Sequence, residues 1–222
     1  MIASFMLPAS RIPQAVDLDH VPLQAPLDGA ALASSASLPV IMQHQQGNNW
    51  CWAAVSVSIA NYYTADSATQ CDVASKELRL GCCPERPGDP CPGNCDVPWQ
   101  LNLALKRVGH LDSTLGQAAT FAAVQAEINS QQPIGCHITW VLGSGHFVAI
   151  TGWSLGASGT SYVDIKDPFY GPTTLPFSQF STAYQKSGDS WDYTYFTKRT
   201  PAVAVATLEP DPSAPMNAPM LA

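Results

Sequence analysis

A single cysteine set between two tryptophans constrains this chain more than any other feature. In the run Asn49-Trp50-Cys51-Trp52, the cysteine stands directly before small and apolar residues that continue to Tyr63. Such a run predicts a buried helix that begins near Cys51. At a helix N-terminus, unpaired backbone N–H groups and the positive end of the dipole favour a thiolate over a thiol. The stretch therefore predicts a reactive sulfur at the start of a buried helix.

Three further residues, spread along the chain, complete a hydrolytic pattern with Cys51. Gln45 lies six residues upstream, where its amide can turn back and help the Cys51 N–H hold a developing oxyanion. His146 follows far downstream in an apolar, strand-like run, and Asp167 ends the next such run. Thiol catalysis needs an activated sulfur, a proton carrier and oxyanion donors, and these residue types supply them.

Other residues compete for the same roles. His137, on the preceding predicted strand, is the alternative to His146 as the base. Asp164 precedes Asp167 by three residues and would point to the opposite face of the strand, which makes it a poor substitute. Cys51 could instead be half of a disulfide or a small core residue. The ordered combination of glutamine, cysteine, histidine and aspartate favours catalysis.

This ordered set of motifs resembles the papain-like cysteine proteases. The resemblance is carried by Gln-x5-Cys-Trp-Ala, then Gly-His-Phe-Val, then Asp-Pro after the following strand, and it covers residues 40–200. Within this family the chain is most similar to the bacterial branches that include plant-pathogen effector proteases. The peptidases that trim bacteriocin leaders are more distantly similar.

The resemblance implies a role for each residue. Cys51 would be the nucleophile, and His146 would be the base and then the acid. Asp167 would orient the histidine, and Gln45 would be the oxyanion donor. The best-known plant members have Asn in the third position and Cys-Gly-Ser-Cys-Trp before the helix, whereas this chain has Asp167 and Asn-Asn-Trp-Cys-Trp. Details of the substrate subsites therefore do not transfer.

Composition limits the partners. The 222 residues carry a formal net charge of −7 and contain no cluster of lysine and arginine, which argues against nucleic acid or an anionic membrane surface. No apolar run approaches the ~18 residues that a membrane-spanning helix needs. We expect a protein or peptide substrate, no metal or organic cofactor, and a monomer.

Seven cysteines indicate an oxidising destination. Apart from Cys51, one stands in an apolar run, Cys136, and five crowd into the segment after the predicted helix: Cys71, Cys82, Cys83, Cys91 and Cys95. A disulfide framework is the first expectation, with its connectivity open. A zinc site from Cys82 or Cys83 with Cys91 and Cys95, and mostly free thiols, are the alternatives.

The N-terminus carries no standard export signal. The apolar run at 1–7 lacks the basic residues and the length of a signal peptide. We therefore expect a secreted or extracytoplasmic protein that uses a non-standard route, with the cytoplasm as the alternative compartment.

The order of the predicted elements indicates an α+β fold. Helices are predicted from Cys51, at 73–80, at 96–108 with Asp96 as the cap, and at 121–130. Strands follow at 134–141, 146–153, 161–166, 174–177 and 191–197, with a short helix at 178–185. Helices before an antiparallel sheet accommodate a cleft between two lobes, and the resemblance implies the two-lobed papain-like arrangement. Cys51 would come from the helical lobe, and His146 and Asp167 from the sheet lobe.

Three regions are predicted along the chain. Residues 1–37 are expected to form an extended or disordered arm, with a pro-segment along the cleft as the alternative. Residues 38–200 are expected to form the protease domain, which begins with an extended strand at 38–42. Residues 201–222 are rich in proline and alanine and are expected to be a disordered tail.

The sequence thus predicts a cysteine peptidase that hydrolyses peptide bonds through a thioester on Cys51, with His146 as the acid and base. One alternative is another acyl-transfer enzyme on the same site: an amidase, a deamidase or a transglutaminase-like toxin. The other is a non-catalytic, disulfide-stapled binding domain.

Overall fold

The computed structural model of the protein describes residues 34–86, 89–141 and 143–200. Its helices are α1 (Cys51–Tyr63), α2 (Gln70–Leu78), α3 (Leu101–Arg107), α4 (Phe121–Asn129) and α5 (Phe177–Thr182). Its strands are β1 (Ser35–Ser37), β2 (Leu111–Leu115), β3 (Ile134–Thr139), β4 (Gly145–Leu155), β5 (Ser161–Asp167), β6 (Gly171–Pro176) and β7 (Ser190–Thr197). The predicted tail, and the predicted arm and pro-segment up to residue 33, lie outside the described residues.

One antiparallel sheet contains all of these strands. Six of them follow the order β2-β7-β3-β4-β5-β6. The long strand β4 pairs with β5 along one edge, and its other edge pairs first with β3 and then with β1. Ala149 pairs with Lys166, so Asp167, the next residue of β5, lies further along β4 toward His146. The register therefore brings the predicted histidine and aspartate to the same end of the sheet.

The sheet separates two apolar cores. Alternate residues of β4 point to opposite faces. Phe147 and Ala149 pack with α1 and α3 on one face, while Val148 and Ile150 pack with α4 on the other. The predicted buried helix is confirmed, because nearly every side chain of α1 is buried. Helices packed on both faces of one antiparallel sheet give the predicted α+β class.

The helix predicted at 96–108 begins later, at Leu101. Asp96 does not cap it, because its carboxylate accepts the backbone N–H of Asn49 at 2.7 Å and its carbonyl accepts the Asn49 side-chain amide at 3.0 Å. The next residue, Val97, instead accepts the indole N–H of Trp52 in α1 through its carbonyl at 3.1 Å. The prediction was wrong here because a distant partner, invisible in the local sequence, engages the capping side chain.

Two edge strands also differ from the prediction. No strand forms at 38–42, although the Leu38 N–H donates to the Thr151 carbonyl at 2.7 Å; the pairing with β4 is made by Ser35–Ser37. Strand β2 was not predicted, since its middle residues are polar and exposed.

Within the described residues, no helix combines the length and the apolar character that crossing a bilayer requires.

Two disulfides staple the segment that follows α1. They join Cys71 to Cys83 and Cys82 to Cys95. The expected framework therefore forms from four of the six cysteines, and these bonds are incompatible with the alternative zinc site. Cys91 and Cys136 are free, and Cys136 is fully buried in the core.

Candidate active site

Two tryptophans fix Cys51 at the N-terminus of α1. The indole N–H of Trp50 donates to the carbonyl of Cys95 at 2.7 Å, and that of Trp52 donates to the carbonyl of Val97 at 3.1 Å. Both side chains are fully buried. Since Cys95 is itself held by a disulfide, the helix start is fastened to the stapled segment. The Trp-Cys-Trp sequence therefore holds the sulfur from both sides.

The loop before the helix requires a glycine. A Cβ on Gly47 would lie 2.9 Å from Asp96 Oδ1 and 2.9 Å from Trp50 Cγ, and it would lie 3.1 Å from Cys91 Sγ. The loop closes where the Trp50 N–H donates to the Gly47 carbonyl at 3.1 Å. This tight turn aims the chain into α1 at Cys51.

His146 and Asp167 form a buried pair at the end of the sheet. His146 Nε2 lies 2.9 Å from both Asp167 Oδ1 and Oδ2. Cys51 lines the same cleft as His146 and contributes to raising the pKa of the histidine. Because Nε2 faces the carboxylate, Nδ1 is the ring nitrogen left for the sulfur. The structure thus brings the predicted nucleophile, base and orienting residue together.

The environment favours a charged histidine. Burial lowers the pKa of His146, but its hydrogen bonds to Asp167 and Cys51 outweigh burial and raise the pKa to about 9. Burial also raises the pKa of Asp167, and hydrogen bonds led by the one from His146 outweigh it, so that this pKa lies below its ordinary value. At neutral pH the pair is therefore an imidazolium and a carboxylate.

Three donors besides the histidine hold the Asp167 carboxylate. Oδ1 accepts the backbone N–H of Phe169 at 2.6 Å and that of Tyr170 at 2.8 Å. Oδ2 accepts the hydroxyl of Tyr184 at 2.7 Å. The chain after β5 folds back onto its own last residue, as aspartate in turns commonly does. These contacts fix the orientation of the carboxylate toward His146.

Aromatic rings enclose the pair. Trp140 stacks on His146 with a centroid distance of 5.6 Å and an interplanar angle of 17°. Tyr184 stacks with Trp140, with a centroid distance of 6.4 Å and an interplanar angle of 15°. Tyr170 presents its ring edge-on to His146 at 6.1 Å. Sequence reasoning missed these three aromatics; only the turn after Asp167 carries a local signal for one of them.

Gln45, Cys51 and His146 line a cleft of about 470 Å³ between the helices and the sheet. The cleft has aromatic walls on both sides, formed by Trp52, Trp99, Trp140, Phe147, Phe169 and Tyr170. Asp167 lies behind His146 and is not part of the wall. The arrangement matches the predicted cleft with one residue from the helical side and two from the sheet.

Gln45 lines the cleft, but its side-chain amide is hydrogen-bonded to the loop that connects Gln45 to α1. Nε2 donates to the carbonyls of Gly47 at 3.0 Å and Asn48 at 2.7 Å. An amide nitrogen carries two hydrogens, so these bonds use both. The Ala54 N–H makes the first bond of α1, to the residue before Cys51, so the Cys51 N–H has no acceptor within the helix.

The competing candidates are held by other hydrogen-bond partners. His137 also faces the cleft, but its Nδ1 is bound to Asp192 Oδ1 at 2.7 Å. Asp164 accepts the hydroxyl of Thr174 at 2.6 Å and points away from the histidine pair. His146, in contrast, is paired with Asp167, and Cys51 contributes to raising its pKa.

A sequence model of the papain-like cysteine protease AvrRpt2 family matches residues 33–185. The chain belongs to the AvrRpt2 family of papain-like cysteine proteases. The matched span of this AvrRpt2-family protease contains Cys51, His146 and Asp167. The resemblance inferred from the motifs is thereby confirmed, and the protein is an enzyme of the cysteine peptidase class.

Several solved structures are similar to this AvrRpt2-family protease. They include bromelain from Ananas comosus in complex with E64, at 12% identity over 75% of this chain and 99% of that chain, with a TM-score of 0.48. The ragweed pollen allergen Amb a 11, in its proform, is 12% identical over 79% of this chain and 69% of that chain, with a TM-score of 0.49. A double-glycine motif protease from an AMS/PCAT transporter, bound to its leader peptide, is 17% identical over 73% and 94% of the two chains, with a TM-score of 0.39.

At these low identities and TM-scores, the assignment rests on the family match and not on the solved structures. No curated protein matches the sequence.

Proposed function

We propose that the protein hydrolyses peptide bonds through a thioester on Cys51, with His146 as the acid and base and Asp167 as the residue that orients the histidine. The observation that carries this proposal is the buried, hydrogen-bonded pair of His146 and Asp167 in the cleft that Cys51 also lines. Its members come from α1, β4 and β5, so the fold itself assembles them.

The geometry supports a two-step reaction. The Cys51 sulfur, as a thiolate, attacks the scissile carbonyl carbon, and the carbonyl oxygen takes up the negative charge. His146 then gives its Nδ1 proton to the leaving amine, and the C–N bond breaks to leave a thioester. Neutral His146 next takes a proton from water, the hydroxide attacks the thioester, and the acid is released with the thiolate restored.

The oxyanion requires donors near Cys51. Its own backbone N–H, at the first helical position, is free of the helix and is the first donor. The Gln45 amide is the second, provided that it exchanges one of its two backbone carbonyl partners for the oxyanion. Substrate binding would thus reorganise the loop at Gly47 and Asn48.

The rival functions share this chemistry in part. An amidase, a deamidase or a transglutaminase-like enzyme would use the same sulfur and imidazole, and family membership favours peptide-bond hydrolysis over them. A binding domain would not require a free thiol in the same cleft as a charged imidazole, which is the arrangement of Cys51 and His146.

Other features support proposals for the substrate, the oligomeric state and the compartment of the enzyme. The open, aromatic-walled cleft suits an extended protein or peptide substrate. All members of the proposed mechanism come from one chain, which is consistent with a monomer. Two disulfides favour an oxidising compartment outside the cytoplasm, as expected of a secreted effector-type protease.

Peptide-library cleavage read by mass spectrometry tests the proposal, with Cys51→Ala as the inactive control. We expect defined peptide cuts from the wild-type protein and none from the variant. Turnover of cell-wall peptides alone would assign the site to an amidase. Identical behaviour of the two proteins would favour the binding domain.

A further inference from the structure

We propose that Tyr184 is a positioning residue of the active site, which holds the Asp167 carboxylate directly and the plane of the His146 ring through Trp140. This inference rests on the proposed roles of Cys51, His146 and Asp167 and adds a residue that lies outside the cleft. Tyr184 follows α5, far in sequence from the other members.

The direct contact is short and buried. The Tyr184 hydroxyl donates to Asp167 Oδ2 at 2.7 Å, and both residues are almost inaccessible to solvent, at 4% and 3% exposure. A hydroxyl that donates to a carboxylate makes a charge-assisted bond, which is stronger than a neutral one. Both backbone donors bind Oδ1, so Tyr184 is the residue that keeps Oδ2 from turning away from the histidine.

The second contact runs through a stack of rings. The Trp140 ring is nearly parallel to the rings of both His146 and Tyr184, at 17° and 15°. Trp140 therefore restricts rotation of the imidazole out of its plane, and Tyr184 packs against Trp140. Phe180 packs edge-on against Tyr184 at 5.4 Å and supports its position.

The loop that carries Tyr184 is tied to the loop that carries Trp140. The Tyr184 N–H donates to the Asp189 carbonyl at 3.2 Å, and the Asp189 carboxylate accepts the N–H of Val141 at 3.0 Å. Asp189 is 2% exposed. Asp189 therefore links the two loops. His146, Trp140, Tyr184 and Asp167 form a closed ring of contacts.

If the Tyr184 hydroxyl only stabilised the fold, its removal would leave the pH profile of Cys51 alkylation unchanged. The chain offers a matched control for this comparison. Tyr63 is also buried, at 5% exposure, and its hydroxyl also makes a 2.7 Å hydrogen bond, to Thr197 Oγ1. It lies at the far end of α1 from Cys51. Replacing either tyrosine with phenylalanine removes one buried hydroxyl of similar environment, and only Tyr184 touches the site.

The titratable groups around Asp167 allow a clear reading of pH. They are His146 on β4, Cys51 on α1 through that histidine, Tyr184 after α5 and, more distant, Cys136 on β3. Burial raises the pKa of Tyr184 and that of Cys136, so neither ionises near neutral pH. A change on the acid side of the alkylation profile therefore reports on Asp167, His146 and Cys51.

The test is the rate at which iodoacetamide alkylates Cys51 between acid and neutral pH, followed by peptide mapping because Cys91 and Cys136 are also free. In Tyr184→Phe, the carboxylate loses a donor and protonates at a higher pH, and the anion that orients the imidazolium toward Cys51 is lost with it. We expect the acid limb to move up by roughly one to two units, as for one charge-assisted hydrogen bond. Peptide turnover should show a lower kcat with an unchanged KM.

The controls separate the possible failures. Tyr63→Phe should match the wild-type profile, and a Tyr184→Phe profile that coincides with that of Tyr63→Phe would overturn the inference. Tyr184→3-fluorotyrosine, a stronger donor of the same shape, should move the acid limb down and remains informative if Tyr184→Phe folds poorly. If wild-type alkylation is no faster than that of His146→Ala, the proposed function fails, and Tyr184 is not the cause.

Discussion

His146 presents Nε2 to both carboxylate oxygens of Asp167 at 2.9 Å, which leaves Nδ1 for Cys51. This division of the two ring nitrogens decides how the site responds to pH. The carboxylate keeps the ring charged, and in the proposed mechanism the charged ring would carry the proton that the leaving amine needs.

The first prediction concerns the alkaline limb of peptide hydrolysis. The pKa of His146 is raised to about 9, so the imidazolium persists through neutral pH and is lost as the pH rises through that value. We expect kcat/KM to stay level near neutrality and to fall around pH 9. A pH series with a fluorogenic peptide measures this directly. A fall near the ordinary histidine pKa of 6.5 would mean that the ion pair does not form in solution.

The second prediction concerns the charge on Asp167. Asp167→Asn keeps the size of the side chain and removes the anion, so the pKa of His146 should fall by about one unit or more. The alkaline limb of kcat/KM should therefore move to lower pH, and the maximum rate should drop. Asp164→Asn, on the same strand but bonded to Thr174, is the control and should behave as wild type. Equal effects of the two substitutions would contradict the role of Asp167.

The sequence identified candidate site residues where a short local motif marks them. Cys51, His146 and Asp167 were predictable because each belongs to a short motif whose order along the chain is distinctive. Tyr184 has no such motif, and it reaches Asp167 only because a loop held by Asp189 brings it there.

The fold shows the same limit. Helix α1 was predictable because its apolar run leaves no exposed face. The later start of α3 was not, because Asp96 is engaged by Asn49, which lies on another loop. Likewise, the cysteine count predicted disulfides, but it could not reveal that Cys91 and Cys136 remain outside them.

The third prediction concerns the disulfide that anchors the catalytic helix. Removing Cys82–Cys95 with a Cys82→Ala/Cys95→Ala pair should loosen the carbonyl that holds Trp50 and should lower the activity of the folded protein. The free energy of unfolding should drop by about 2–4 kcal/mol.

The other disulfide is a matched control. Cys71 and Cys83 are 12 residues apart, against 13 for Cys82 and Cys95, so the loop entropies of the two bonds are nearly equal. Removing Cys71–Cys83 should cost stability and leave more of the activity of the folded protein. Denaturant unfolding and peptide turnover, measured on the same samples, separate the two effects. Similar losses of activity would show that anchoring through Trp50 is not important.

The last prediction concerns Gly47, whose missing side chain lets the loop before Cys51 close. In Gly47→Ala, the new Cβ would lie 2.9 Å from Trp50 Cγ and from Asp96 Oδ1, and Trp50 is fully buried and cannot move away. Overpacking of this kind costs about 1–3 kcal/mol, and a displaced loop also misplaces the sulfur. We expect a lower melting temperature together with reduced kcat. Gly81→Ala, where a Cβ meets nothing within 4 Å, should change neither, and a wild-type result for Gly47→Ala would show that the loop tolerates a wider turn.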